Sequence, residues 1–386
     1  MDADLTIVGA GLVGSALALA LGRTGLTVAL VEPAPPAPAA DGWDSRIYAL
    51  SPGSRDLLAS LGVWDALDRA RIEPVTGMCV QGDRPRGQIV FDALDSGVAA
   101  LAYIVEGGAV ARSLWHLLQN ATHVMLHVGQ RPTALSIDAE ATTLTLDGGG
   151  TIRAPLIVGA DGATSWVRRA AGISDRSHSY SQRGVVANFR AEHDHGGVAR
   201  QWFRADGVLA LLPLPGRHVS MVWSAAESVA DELLAMDREA LEVRVAQAAG
   251  GVCGALERVT PAVGFPLQAR VAARFVGPRL ALVGDAAHNL HPLAGQGVNL
   301  GFRDVRVLAA TLTARGPERD IGVLPLLRRY ERARREDVAA MLAATDGLHR
   351  LFSSRLPGVA ALRNSGLNVA GRLPLIKSLL AQHALA

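Results

Sequence analysis

The chain has 386 residues, of which 49 % are hydrophobic and 19 % charged, with 38 basic and 36 acidic side chains and a formal net charge of +2. This composition excludes a disordered tail and offers no excess of positive charge for nucleic acid. At about 150 residues per domain, the length suggests two domains. Cys79 and Cys253 are the only cysteines and neither lies in a CxxC pair, which excludes a disulfide framework, argues against dithiol or metal–thiolate chemistry and fits a reducing cytoplasmic interior.

Leu5 to Gly22 carries no charge over 18 positions, near the lower limit for spanning a bilayer. Asp2 and Asp4 precede it and Gly9, Gly11 and Gly14 interrupt it, so it reads as a buried strand and helix rather than an export or membrane segment. Leu5-Thr6-Ile7-Val8 predicts a strand buried on both faces. Leu12 to Arg23 predicts a helix stopped at Gly25, and Leu26 to Val31 a second strand ending at Glu32, which completes one βαβ unit. The run from Pro33 to Pro38 breaks regular structure. Helices are expected over 54–61 and 110–119, and strands over 142–146 and 156–158. From 178 to 224 the texture changes: Val185 to Phe189, Gln201 to Phe203, Val208 to Leu212 and Val219 to Trp223 are closely spaced strands of an antiparallel sheet. Helix is expected over 226–248, a buried strand over 279–283 and mostly helix from 298 onward. The fold class is α/β, a Rossmann-like dinucleotide-binding domain with an inserted antiparallel β-sheet domain and a helical C-terminus.

Three motifs carry chemistry. Gly9-Ala10-Gly11-Leu12-Val13-Gly14 is a G-x-G-x-x-G turn between strand and helix. Its glycines permit a tight turn, approach of a pyrophosphate and close helix packing, and the helix start offers oriented N–H groups. Glu32, 18 residues after Gly14, suits the ribose hydroxyls of an adenosine. In the segment from Leu280 to Asn299, Asp285 ends a buried strand where a carboxylate meets a ribityl hydroxyl. Gly295-Gln296-Gly297 then starts a helix with bare N–H groups for a pyrophosphate or a flavin edge. Between them, Gly159-Ala160-Asp161-Gly162 follows a strand, with Ser165 readable as a helix N-cap and Arg168 as a solvated side chain.

Together these segments resemble the FAD-dependent aromatic hydroxylases that share the fold of p-hydroxybenzoate hydroxylase. The chain is more narrowly similar to the ubiquinone-biosynthesis hydroxylases, through Asp44-Ser45-Arg46-Ile47-Tyr48-Ala49-Leu50-Ser51, Tyr180-Ser181-Gln182, Gln201-Trp202-Phe203, Leu211 to Pro215 and Gly284 to Gly301. The resemblance implies a discontinuous FAD-binding domain (1–73, 102–175 and 271–345), a substrate-binding domain (74–101 and 176–270) and a C-terminal helical segment (346–386). It places Gly9, Gly11 and Gly14 at the FAD pyrophosphate, Glu32 at the adenosine ribose, and Arg46 and Arg112 near the phosphates and ribityl chain. Asp285 falls at the ribityl–pyrophosphate region, the run Pro292 to Gly297 (Gly295 and Gln296 included) borders the flavin ring, and Asn299 is a further cofactor-binding residue. Asp161 belongs to a motif associated with both FAD and the reduced nicotinamide. Gly107-Gly108 departs from the family pattern just before Arg112.

The implied reaction is ring hydroxylation of a polyprenylated phenol or quinone precursor: NADH or NADPH reduces the flavin, O₂ is activated on it, and the protein supplies position and a dry site. A small soluble phenol as substrate, or a non-catalytic flavoprotein role in a biosynthetic assembly, are the alternatives. The 180–224 lobe is the expected cover of the substrate. His288 and His291 resemble metal ligands, but flavin packing accounts for their segment; His193-Asp194-His195 reads as solvated loop, and Ser165 has no base nearby. Tyr48, Tyr103 and Tyr180 are candidates to meet a phenol, and no side chain is assigned as catalytic acid or base. The run Arg328 to Asp337 reads as a solvated helix face. With 12 basic and 6 acidic residues from Arg315 onward, the C-terminal part is also a candidate for peripheral contact with the inner membrane face or with partner enzymes of the ubiquinone pathway.

Overall fold

The structure is a computed structural model and describes residues 1–39, 41–82, 87–289, 297–316 and 320–353. The first βαβ unit forms where the apolar pattern puts it: β1 spans Leu5–Val8, α1 Leu12–Leu21 and β2 Val28–Glu32. Every residue of β1 is buried, as expected of a strand covered on both faces. These strands belong to a six-stranded sheet in the order Val276–Gly277, Leu280–Leu282, Leu156–Gly159, β1, β2, Val124–Val128. All pairings are parallel except the first. β1 therefore has its sequence neighbour β2 on one side and the much later Leu156–Gly159 on the other. Such a reversal of strand order opens a crevice outside the carboxyl ends of the strands, where open parallel sheets bind ligands. The register Leu30–Ile7–Val158 keeps those ends level.

A nine-stranded sheet forms the second body. It runs from Gln88–Asp92 and Gly77–Gln81 through Val198–Arg204, Gly207–Leu214, His218–Ala226 and Asp175–Ala191 to Val263–Ala272 and His288–Asn289, with Leu256–Arg258 paired off the path. Alternation gives it two faces. Val185, Ala187, Phe189, Val219, Met221 and Trp223 share a core with Leu233, Leu241 and Val245 of the helices Glu227–Ala235 and Arg238–Ala248. The stretch expected to be helical over 226–248 forms two helices, because Asp237 caps the second by accepting from the Ala240 N–H at 2.8 Å. On the other face, Ala199, Leu212 and Met78 cluster with Trp43, Ile47 and Ala49. There the Asn188 Nδ2 donates to the Asp44 carbonyl at 2.8 Å. The inserted sheet thus abuts the segment that leads into the strand Ile47–Leu50.

Two helices, Gly297–Thr313 and Leu324–Ser353, follow. No helix among the described residues is long and apolar enough to cross a membrane. The run Arg328 to Asp337 is not simply a solvated face. Tyr330 and Arg334 lie one turn apart, so they project from the same side of the helix. That side is buried: the Tyr330 hydroxyl donates to the Leu282 carbonyl at 2.8 Å, and Arg334 is 3 % exposed.

Candidate active site

The ends of four adjacent parallel strands bring the acidic and glycine-rich motifs together. Gly9-Ala10-Gly11 leaves β1, Glu32 ends β2, Asp161 follows Leu156–Gly159 and Asp285 follows Leu280–Leu282. Gly9 has φ 100°, and a Cβ there would lie 2.6 Å from the Ala160 oxygen, so the fold itself demands glycine. A Cβ on Gly14 would lie 2.0 Å from the Gly9 oxygen. Gly11 differs: its φ is −65° and no atom of the described residues lies within 4 Å of a Cβ position. Nothing among the described residues requires glycine at 11, whereas a ligand resting on the loop would. Gly11 is the N-cap of α1 and no side chain caps the helix, so its first N–H groups are open to an anion. Gly297, the first residue of its helix, likewise has no atom of the described residues within 4 Å of a Cβ position.

Glu32 accepts from the Ala10 N–H at 2.6 Å and the Ala34 N–H at 3.2 Å, which ties the glycine turn to β2. Asp161 Oδ2 accepts from the N–H groups of Trp166 and Val167 at 2.7 and 3.0 Å, and its buried Oδ1 has no partner among the described residues. Asp285 is reached by solvent, yet it is walled by enough protein that desolvation raises its pKa above the ordinary aspartate value, opposed by His288 and Arg46. Tyr48 shares this crevice: burial raises its phenol, Arg46 opposes, and Asp285 and Asp44 add to the rise. Arg46 and Tyr48, two residues apart, thus interact with Asp285, which is far away in sequence.

The Arg46 segment is held from behind by groups that sequence reading missed. Asp44 accepts from the N–H groups of Arg46 and Gly108 at 2.9 and 2.8 Å, docking the segment on the start of the helix Gly107–Gln119. Glu106, 6 % exposed, accepts from the Asp44 N–H at 2.7 Å and from Arg71 at 2.5 and 2.8 Å. A Cβ on Gly108 would lie 2.8 Å from Arg112 Nη1 and 2.9 Å from Asp44 Oδ2. The unusual glycine therefore makes room for the Arg112 guanidinium beside Asp44. Asn299 is 1 % exposed; its Nδ2 donates to the Ala49 carbonyl and its Oδ1 accepts from the Ser51 N–H, both at 2.9 Å. Its amide pins the strand that carries Tyr48. Pro292, Gly295, Gln296 and His291 lie outside the described residues.

Two sequence expectations are corrected. Arg168 is 1 % exposed rather than solvated, donating to the carbonyls of Ala286 and Ala163 at 2.8 and 2.9 Å and facing Asp175 at 3.1 Å; it braces the Asp161 turn against the Asp285 turn. His195 is buried rather than loop-exposed: its Nδ1 accepts from the Gly197 N–H at 3.0 Å, which leaves Nε2–H to donate to the Leu214 carbonyl at 2.8 Å. The Gly197 N–H and the Leu214 carbonyl hold the imidazole inside the turn. Ser165 is an N-cap, accepting from the Arg168 N–H at 2.9 Å. Tyr103 packs edge-on against Trp64, and Tyr180 against His178.

A glycine turn and a second bare helix start over the ends of a parallel sheet, facing an inserted antiparallel sheet, define the architecture of FAD-dependent monooxygenases. In sequence, the FAD binding domain family matches residues 2–345. The 3-demethoxyubiquinol 3-hydroxylase of Escherichia coli is 39 % identical across 99 % of this chain and 98 % of that protein. Ubiquinone hydroxylase UbiL of Rhodospirillum rubrum is 38 % identical across 99 % and 89 %, and the mitochondrial ubiquinone biosynthesis monooxygenase COQ6 of Homo sapiens 33 % across 97 % and 90 %. Among solved structures, p-nitrophenol 4-monooxygenase PnpA from Pseudomonas putida shares the fold, with a TM-score of 0.77 over 99 % of this chain and 98 % of that one at 18 % identity. PqsL from P. aeruginosa in complex with 2-aminobenzoylacetate does so with a TM-score of 0.78 over 95 % and 99 % at 24 % identity. The chain belongs to the FAD binding domain family and, within it, to the ubiquinone-biosynthesis hydroxylases.

The residues present fit FAD. Gly11 and Gly297 are bare where the cofactor's phosphates or flavin edge would approach helix N-termini, while Glu32 and Asp285 offer carboxylate oxygens to its hydroxyls. When bound, the flavin takes a hydride equivalent from NAD(P)H and activates O₂ for transfer to an electron-rich ring.

Proposed function

We propose that the chain hydroxylates the aromatic ring of a polyprenylated ubiquinone precursor, using FAD, NAD(P)H and O₂, and that the nine-stranded sheet is its substrate-binding body. The observation that carries this reading is the sheet face directed toward the Arg46–Tyr48 segment. One cross-strand row on that face is Val263, Val186, Val222 and Ala210, and Val208 and Phe265 lie in the next row. These apolar side chains are only half-buried, and Val263 and Phe265 are 46 % and 37 % exposed. A row of this kind suits an aromatic ring bearing a long isoprenoid tail better than it suits a small charged phenol. The Asn188–Asp44 hydrogen bond anchors one end of the face beside Arg46, so a ring lying on it reaches the crevice that Asp285 and Tyr48 line. The chain's residues then bind and orient the ring and exclude water, and no side chain is assigned to move a proton. We further propose that the enzyme works at the cytoplasmic membrane surface, where such a tail resides.

The test is complementation of strains that each lack one ubiquinone hydroxylation step, with quinone intermediates identified by mass. Rescue of one strain supports the reading and fixes the ring position. Failure in every strain, with NAD(P)H oxidation coupled instead to hydroxylation of a free phenolic acid, overturns it.

A further inference from the structure

The turn that carries Asp285 is gripped from behind by a single carboxylate. Asp304, 0 % exposed, accepts through Oδ2 from the Gly284 N–H at 2.8 Å and faces His288 Nε2 at 2.7 Å. Gly284 and His288 bracket Asp285, so one oxygen fixes both sides of the 3-10 turn Gly284–Ala286. Gly284 adopts φ 58°, a left-handed conformation that glycine takes without steric cost, so the turn can present its N–H to Asp304. Asp304 lies on the same face of its helix as Gly301, where a Cβ would meet Val13 of α1 at 2.5 Å; the helix that begins at Gly297 thus reaches both the glycine turn and the Asp285 turn.

The charge on Asp304 is balanced from outside the nucleotide-binding sheet. Arg334 on the helix Leu324–Ser353 donates from Nε to Asp304 Oδ1 at 2.6 Å. Its Nη1 and Nη2 meet Asp337 and the Leu300 carbonyl, and Arg303 also holds Asp337, at 3.0 Å. Burial alone would raise the Asp304 carboxyl, but His288 and Arg334 outweigh it and leave its pKa below the ordinary aspartate value.

We infer that Asp304 is a positioning residue for cofactor binding, acting through Asp285, and that Arg334 on the last described helix is its counter-ion. This rests on the assignment of Asp285 to the FAD crevice. A strut of this kind makes FAD affinity depend on a helix that lies outside the nucleotide-binding sheet.

The experiment titrates FAD into apoprotein, following quenching of flavin fluorescence, for the wild type, Asp304→Asn, Asp285→Asn, the double variant, Arg334→Met, Arg334→Lys and Arg279→Met. Arg279 supplies the control: it is itself buried, 7 % exposed, and bonded to Asp320, Ala139 and Pro155, a network that does not touch the Asp285 turn. Asp304→Asn and Arg334→Met should each weaken FAD binding by about tenfold or more, Arg334→Lys by about threefold or less, and Arg279→Met should lower the unfolding temperature while leaving affinity unchanged. Because Asp304 acts through Asp285, the double variant should bind within about twofold of Asp285→Asn alone. Additive losses, or unchanged affinity in Asp304→Asn, overturn the inference. Should Asp304→Asn fail to fold, Asp304→Glu, which keeps the charge but moves it, takes its place in the cycle. Failure of the wild type to bind FAD would instead refute the assignment of the crevice.

Discussion

The contrast between Gly9 and Gly11 separates what the fold requires from what the cofactor requires. In Gly9→Ala the new methyl would sit 2.6 to 2.9 Å from three backbone atoms of Ala160 and Asp161, just past the end of the strand adjacent to β1, where no side chain can swing away. Left-handed φ for a residue bearing Cβ adds about 1–2 kcal/mol, and overpacking against rigid backbone about 1–3 kcal/mol. The apoprotein should therefore lose about 2–5 kcal/mol of stability. In Gly11→Ala the methyl meets no atom of the described residues and φ is already ordinary, so the apoprotein should change by less than about 1 kcal/mol. Yet FAD binding should fall at least about tenfold, or about 1.4 kcal/mol, because the methyl occupies the approach to the first N–H groups of α1. Urea unfolding of the two apoproteins gives the first pair of numbers and FAD titration the second. If Gly11→Ala destabilises the apoprotein as much as Gly9→Ala, or binds FAD like the wild type, then Gly11 does not mark where the cofactor lies.

Other outcomes follow from the same geometry. Asp285 has a raised pKa in the fold, so its ionisation opposes folding as pH rises through the unfolded value toward the folded one; Asp285→Asn should stabilise the apoprotein at neutral pH while weakening FAD binding, and a loss of apoprotein stability would contradict this. Asp206 is the reverse case. Burial alone would raise its pKa, but hydrogen bonds from Arg204 and Arg244 hold it below the usual aspartate value, so its contribution is present above about pH 4 and lost as pH falls through the lowered folded pKa. Unfolding measured from pH 6 down to pH 2 should be flatter for Asp206→Asn than for the wild type. His195→Ala removes the hydrogen bonds to the Gly197 N–H and the Leu214 carbonyl and should lower stability by about 1–3 kcal/mol in a denaturant titration, whereas His193→Ala, on the exposed side of the same turn, should be neutral.

Much of the nucleotide-binding body was legible in the amino-acid sequence, because its signals are local. A short apolar strand, a glycine turn, an Ala- and Leu-rich helix and an acid at the end of the next strand are spaced by backbone geometry alone. The structure places β1, α1 and Glu32 accordingly. The strands over 178–224 were legible through their alternation, and the structure extends each of them, since pairing continues past the last apolar residue. What periodicity could not reveal is the partner that each polar side chain meets.

Arg168, Arg334 and His195 are ordinary polar residues in sequence, and each is buried because a carbonyl, carboxylate or turn from a distant segment supplies its hydrogen bonds. The same holds for Asp44 with Gly108, Asn299 with Ala49 and Ser51, and Arg71 with Glu106. The sequence by itself determined which strand ends carry the glycines and carboxylates, because three or four residues of local chain suffice to set a turn. Only the tertiary structure decided that Arg46, Tyr48 and Asp285 share one crevice and that Asp304 and Arg334 stand behind it. A buried charge is stable only where its counter-charge arrives, and that arrival depends on how the whole chain packs.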